Sequence, residues 1–352
     1  MGRLYTSRQT ALGAAIALAL IQPGAARAAA TSLVVHPGES IQAAVDAAKP
    51  GDTVVVLPGT YHEAVCVTTD GIDLRGDGAV IMPPAEPPET PCAVLPAGIL
   101  LLGQLDFATG IVTDPISDGT VSGFRVEGFE ASGILVLGGE DVDIVGNTAV
   151  DNEEYGIARF FSTGGTLRAN RVTGSEEAGL YLGDSPHANA TIVGNRAWNN
   201  GLFGIFVRDS SHGSVVGNTS TGNCVGLIVF ASHAPADDWT IKGNSIRDNT
   251  ALCGGGDEGL PASGMGIALA GASHTTVTGN VVTGNRPSGP TFFSGGIVVA
   301  STTALGGSDP ADDLIAGNVA RDNDPDLFYD GSGSGVVFLH NSCDTSVPDG
   351  LC

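Results

Sequence analysis

Four acids recur in step along the chain. Glu153 and Glu154 precede the run Gly156-Ile157, and Glu176 and Glu177 stand at the same offsets before Gly179-Leu180. If successive windings bring these registers together, the matched carboxylates lie roughly 5 Å apart. Like charges that close share a proton, bind a cation or splay into solvent. Sharing a proton makes Glu154 and Glu177 a general acid and a base or nucleophile. Binding a cation makes Glu153 and Glu176, with Asp257 of the glycine-rich stretch 254–259, ligands of the oxygen type that calcium takes. Splaying leaves ordinary surface charge.

A second matched pair is Asp184 and Asp209, each five residues past its register glycine, with Arg208 beside the latter. Arg208 is expected to face solvent, placed to clamp a ligand carboxylate or to pair with Asp184. Arg159 stands in a slot that Val136, Leu182 and Val207 fill in other repeats. An arginine there is expected either to bulge its strand or to reach an acid. It joins Arg208 as a candidate near an abstracted proton. Lys242 and Arg247, flanking Asn244, are a second-ranked base and clamp. His212 and His274 both precede a recurring asparagine by six residues, which points to a shared turn.

What positions these residues is a repeated phrase, Gly-Asn followed five residues later by a second Asn. The first asparagines are Asn147, Asn170, Asn195, Asn218, Asn244, Asn280 and Asn318; the second ladder reads Asn152, Ser175, Asn200, Asn223, Asn249, Asn285 and Asn323. A glycine and a branched apolar residue follow, from Gly133-Ile134 to Gly296-Ile297. Short alternating segments with such a period indicate a solenoid. The predicted fold is all-β, a parallel β-helix, with the asparagines as scaffold at the bends. The Leu-x-x-Leu-x-Leu pattern of leucine-rich repeats is missing. With Ile157, Leu180 and Ile205 inward, period two turns Tyr181 and Phe206 outward, with Tyr155 and Phe203 at neighbouring strand starts. These four aromatics read as an exposed platform on which the C–H faces of sugar rings stack, unless the 286–294 loop with Phe292 and Phe293 folds over them.

Ser40 is a plausible N-cap for a short helix over residues 41–48, whose stripe Ile41, Ala44, Val45 and Ala48 suits a cap on the open end of the solenoid. Residues 1–28, with Arg3, Arg8, an apolar run and Ala26-Arg27-Ala28, read as a secretion signal. Residues 29–352 then form a single domain: cap 33–52, coils 53–335 and tail 336–352. The chain carries a formal charge of −23. Removing residues 1–28 takes away three arginines and no acid, leaving −26. That surface repels nucleic acid and anionic lipid. The expectation is a secreted, extracellular monomer without membrane insertion. The six cysteines of an exported chain invite disulfides, and nearness pairs Cys66 with Cys92, Cys224 with Cys253 and Cys343 with Cys352.

The stretch from Val35-His36-Pro37-Gly38 through Ile41-Gln42-Ala43-Ala44-Val45 to Val54-Val55-Val56-Leu57-Pro58-Gly59-Thr60-Tyr61 resembles the first segment of secreted right-handed parallel β-helix proteins of the pectin-lyase-like superfamily. With the Gly-Asn coils behind it, the resemblance covers nearly all of the chain after residue 28. It implies the fold, and a superfamily of lyases, glycoside hydrolases, esterases, epimerases and inactive members. The Asp-Pro-His motif of alginate epimerases and the Asn-Thr-Asp, Asp-Asp, His-Gly and Arg-x-Lys set of polygalacturonases are missing. The expected function is a carbohydrate-active enzyme cleaving an extended polysaccharide or oligosaccharide, bound by Tyr155, Tyr181, Phe203, Phe206, Asp184 and Asp209. Hydrolysis needs no cofactor; elimination brings in a possible calcium ion. The alternative is a glycan-binding or structural protein without catalysis.

Overall fold

The computed structural model describes residues 30–86, 90–106, 108–254 and 261–352. The 1–28 segment and Asp257 lie outside them. The chain winds into three parallel sheets, here A, B and C. Sheet A has 12 strands, from Ser32–Val35 to Val337–Leu339; sheet B has 10, from Gly59–His62 to Val319–Arg321; sheet C has 11, from Val65–Val67 to Ser346–Val347. Each coil passes from C to A, turns at its Gly-Asn corner into B, and returns to C. Parallel pairing runs past residue 335, through Val337–Leu339 and Ser346–Val347.

The Gly-Asn phrase is explained by hydrogen bonding. The backbone N–H of Asn147 donates to Asn170 Oδ1 (2.9 Å), that of Asn170 to Asn195 Oδ1 (2.8 Å), and so on through Asn318 to Asn341 (3.0 Å). Every rung is buried, so each amide satisfies main-chain groups that water cannot reach. Asn341 is a rung that the phrase misses, because His340 takes the left-handed turn position (φ 50°) that glycine fills at the other rungs apart from Ala169 (φ 56°) before Asn170. The second ladder explains the register glycines. A Cβ on Gly179, Gly226 or Gly296 would come within 2.6 to 2.7 Å of Asn200, Asn249 or Asn323 Nδ2. Where Ser175 interrupts this ladder, Asn152 Nδ2 and Ser175 Oγ are both buried without a partner.

The bore is apolar, built from inward residues such as Ile157, Leu180, Val172, Ile192 and Ile205. Helix α1, Ile41–Ala47, closes its lower end. The Ser40 side chain accepts from Ala43 N, and Ile41, Val45 and Ala48 are buried as their spacing predicts. All three cysteine pairs expected from nearness are bonded. Insertions flank sheet C on both edges. Residues 83–86, 90–98, 250–254, 261–264 and 286–294 lie where the chain enters it. An antiparallel hairpin, Gln104–Asp106 with Ile111–Asp114, and residues 301–313 lie where the chain leaves it.

Candidate functional site

Sheet C has two apolar faces, and the outer one is not the exposed platform expected from alternation. The direction is right, since Leu135, Ala158, Tyr181, Phe206, Ile228 and Ala268 form one outward row within an apolar layer separate from the bore. That layer is buried: Tyr181 is 2% exposed, Phe206 0%, and Tyr155 and Phe203 6% each. Rings close over rings. Tyr181 packs against Tyr155 (4.5 Å between centroids), Phe160 (4.7 Å) and Phe206 (5.2 Å), and Phe206 against Phe203 (4.2 Å). Higher up, Phe293 packs against the layer and onto Phe328 (5.2 Å), while Phe292 stays half exposed. The aromatic row is therefore a packed support rather than an open stacking surface. A partly open apolar hollow of about 100 Å³ remains there, lined by Phe203, Phe230, Met265, Phe292 and Phe293 among others.

The edge where the chain enters sheet C holds the four glutamates. The N–H of Glu177 donates to the carbonyl of Glu154 (3.0 Å), so the two are vertical neighbours one coil apart. Glu153, Glu154 and Glu176 are exposed and Glu177 half-buried. Glu177 takes a hydrogen bond from the Tyr155 hydroxyl; burial, then Glu177, push that phenol far up from its ordinary value. Among the described residues no group of three metal-type side chains gathers.

The opposite edge is built differently. Asp184 (φ 52°) and Asp209 (φ 47°) occupy a left-handed turn column, which aspartate tolerates. That turn need explains their matched spacing. Asp209 Oδ1 accepts from the backbone N–H of Ser232 (2.7 Å), His233 (3.1 Å) and Ala234 (3.1 Å), and Oδ2 from Ser232 Oγ (2.7 Å). Burial pushes its carboxyl up, but these bonds win and hold it below the usual range. Asp209 is thus a loop clamp, closed off from a ligand. Arg208 donates through Nε to Ser232 Oγ (3.1 Å) and lies 3.4 Å from Asp209 Oδ2, with a quarter of its side chain exposed. His233, 75% exposed, sets Nδ1 2.9 Å from Ser232 Oγ.

Asp184 is half-buried, and burial followed by the charge of Asp209 raises its carboxyl, against Arg208 and His233. It lines a cleft of about 330 Å³ with Glu140, Phe161, Thr163 and His187, roofed by the hairpin residues Gly110 and Val112. His187 stacks on His212 at 6.1 Å. The hairpin and the cleft were not legible from the repeats, since both arise from an insertion without the repeat's marks. Tyr181 connects the two edges: burial, then Asp184, raise its phenol, with Glu177 also acting on it.

Arg159 corrects its expectation. Its strand keeps register between Val136 and Leu182, so nothing bulges. The side chain is fully buried, and none of its three guanidinium nitrogens has a hydrogen-bond partner. Burial pulls it down to about 10, opposed by the fields of Asp143 and Asp141. Enclosed in the bore, Arg159 cannot touch a polymer. Lys242 and Arg247 lie exposed at the Asn corner, on sheets A and B.

A family profile described as a right-handed β-helix region matches residues 106–236. A sequence search of curated proteins finds no match. Among solved structures, the A-module of the Azotobacter vinelandii mannuronan C-5 epimerase AlgE4 is similar with a TM-score of 0.57 and 16% identity, over 86% of this chain and 90% of that one. The periplasmic alginate epimerase AlgG gives 0.63 and 15%, over 90% and 73%. An alginate lyase from Paenibacillus sp. str. FPU-7 gives 0.53 and 16%, over 89% and 99%. Likeness at these identities shows the fold, a right-handed parallel β-helix, as anticipated from the coils. No helix among the described residues is long and apolar enough to cross a membrane.

Proposed function

We propose that this chain is a secreted carbohydrate-active enzyme that removes the proton next to the carboxylate of a uronate unit in an acidic polysaccharide lying along sheet C. The observation that carries this reading is the edge formed by Arg208, Asp184 and His233. Arg208 is a fixed, partly exposed guanidinium in a chain of charge −23, beside a half-buried carboxyl with a raised pKa. A guanidinium fork suits a sugar carboxylate, and a carboxyl raised by burial is, as carboxylate, a stronger base than an ordinary surface aspartate. The names of the similar structures, two alginate or mannuronan epimerases and an alginate lyase, support the same substrate class.

In this reading Arg208 holds the substrate carboxylate and stabilises the charge that builds when C5 loses its proton. Asp184, as carboxylate, takes that proton, and His233 is the second proton carrier. The electron pair left at C5 then has two outcomes. It expels the C4 oxygen, which takes a proton as the C4–O bond breaks, giving an unsaturated end. Or C5 regains a proton from the other face, giving the epimer.

A second reading, hydrolysis by Glu154 and Glu177, is favoured by their stacking and by the Tyr155 bond to Glu177. One assay on alginate and polygalacturonate separates them, following ultraviolet absorbance of unsaturated ends, new reducing ends and the C5 proton by NMR. Arg208→Ala is expected to lower turnover on the order of 100-fold, with Arg208→Lys recovering part of it. Glu154→Gln with Glu177→Gln should change elimination or epimerisation less than about tenfold. Reducing ends without unsaturation, lost in that double variant, would establish hydrolysis instead. Unchanged turnover in Arg208→Ala would sink the uronate reading. Chelation in the same assay tests a calcium role for Glu153 and Glu176.

A further inference from the structure

The corner where sheets A and B meet faces away from sheet C, and its charge runs against that of the whole molecule. Arg168 and Arg171 flank the buried Asn170, Arg196 is the direct strand neighbour of Arg171, and Lys242 and Arg247 flank Asn244 two coils above Arg196. All five are exposed, and none makes an ion pair within the described residues. Through the six coils from Asp143–Val145 to Val281–Thr283, three outward rows border this corner: the last residue of each sheet A strand and the first and last of each sheet B strand. Besides the five cations and Trp198, these rows hold only Thr, Ser and Val, in a chain with 38 acids. The nearest acids beyond sheet B, Asp151 and Asp248, turn a carboxylate oxygen against Gly174 and Gly284 of a neighbouring coil. Arg196 is ordered over the Trp198 ring at 5.1 Å, and Arg247 is bonded to Ser245 Oγ.

We propose that this strip is a second, non-catalytic binding site for a linear carboxylated polysaccharide running along the solenoid axis. The faces of both sheets are flat there, without insertions, and repeat at the strand spacing of about 4.8 Å, close to the length of one sugar unit. Charge density favours such a glycan over nucleic acid. Duplex DNA carries a negative charge about every 1.7 Å, which a strongly acidic protein repels far more than a polymer with one charge per sugar. The partner belongs to the substrate class proposed above, but holding it here requires no catalysis. The strip would keep the protein on its polymer while sheet C works elsewhere on it.

The test measures binding of polygalacturonate and of alginate to the immobilised full chain between low and physiological salt, with dextran and duplex DNA as comparison probes. The strip variant carries Arg168→Ser, Arg171→Thr, Arg196→Thr, Lys242→Val and Arg247→Thr, residue types already found in these rows. It is expected to bind polyuronate at least about tenfold more weakly with a flattened salt slope, while turnover of short oligouronates stays as in the parent. If the fivefold variant fails to fold, the pair Arg171→Thr and Arg196→Thr should give a smaller loss in the same direction. Unchanged affinity in a folded variant, tighter binding of DNA than of polyuronate, or polymer binding lost only in Arg208→Ala would each overturn the proposal. Salt-dependent binding without any turnover would instead overturn the catalytic reading and leave the strip standing.

Discussion

The bore and the outer face of sheet C are both dry and apolar, yet they treat charge in opposite ways. The bore carries ionisable misfits: Arg159, in a slot that Val136, Leu182 and Val207 fill in other coils, and Asp313, which follows Thr275 and Trp239 in its column. Arg159 has no hydrogen-bond partner, and Asp313 Oδ2 has none although Oδ1 accepts from Thr275 N (2.8 Å). The outer face keeps its interior aromatic and sets its charges on the rims, where main-chain N–H groups or water satisfy them. A charge inside a closed column costs stability and meets no ligand. A charge on a rim is cheap to hold and available.

The largest expected effect tests whether the outer layer is a core at all. Phe206→Ala should cost about 4 kcal/mol, as a deleted buried ring does; an exposed platform residue would cost under about 0.5 kcal/mol. Urea unfolding distinguishes the two.

Asp313 sharpens the contrast through pH. Burial pushes its carboxyl up to about 7 from 3.8, so the folded state holds a proton that the unfolded chain releases. The stability this gives is present below about pH 4 and is lost as pH rises through about 7, a swing on the order of 4 kcal/mol. Asp313→Asn keeps the oxygen that accepts from Thr275 and should melt higher than the parent at pH 8 to 9, with little difference near pH 4. A parallel shift at all pH values would contradict this.

Arg159→Leu, copying Leu182, should stabilise by about 2 to 3 kcal/mol without altering turnover. A loss of activity at unchanged fold would mean the bore is coupled to the rim chemistry. The smallest effect concerns the ladder beside it. Ser175→Asn should supply the acceptor missing for Asn152 and add about 1 kcal/mol, read as a shift in the urea midpoint with unchanged slope.

Much of this architecture is legible in the residues. A column repeated once per coil announces itself, which is why the asparagine ladders, the inward Ile and Leu rows and the outward direction of Tyr181 and Phe206 were readable from spacing. Burial of that outward row was not, because it depends on how Tyr155, Phe160 and Phe203 fold across their neighbours and on where insertions lie. The Asp184 and Asp209 match was visible, but their unlike roles were not. Asp209 is consumed by three main-chain N–H groups of a loop 23 to 25 residues later, whereas Asp184 opens into a cleft roofed by a hairpin that lacks any repeat signature. Arg159 was recognisable as an anomaly; its enclosure contradicts the ordinary rule for charges in cores, so the rule pointed to a bulge that did not form.

The positions of the three cystine links have a further consequence. A stack in which each coil touches only its neighbours loosens from its ends inward. Here Cys66–Cys92 ties an early coil beside the helical cap, and Cys343–Cys352 ties the final turn. With these links closed, the coils they join cannot peel away singly as free flaps. Cys224–Cys253 adds a tie at mid-rod, so a reducing environment would release the stack at all three places.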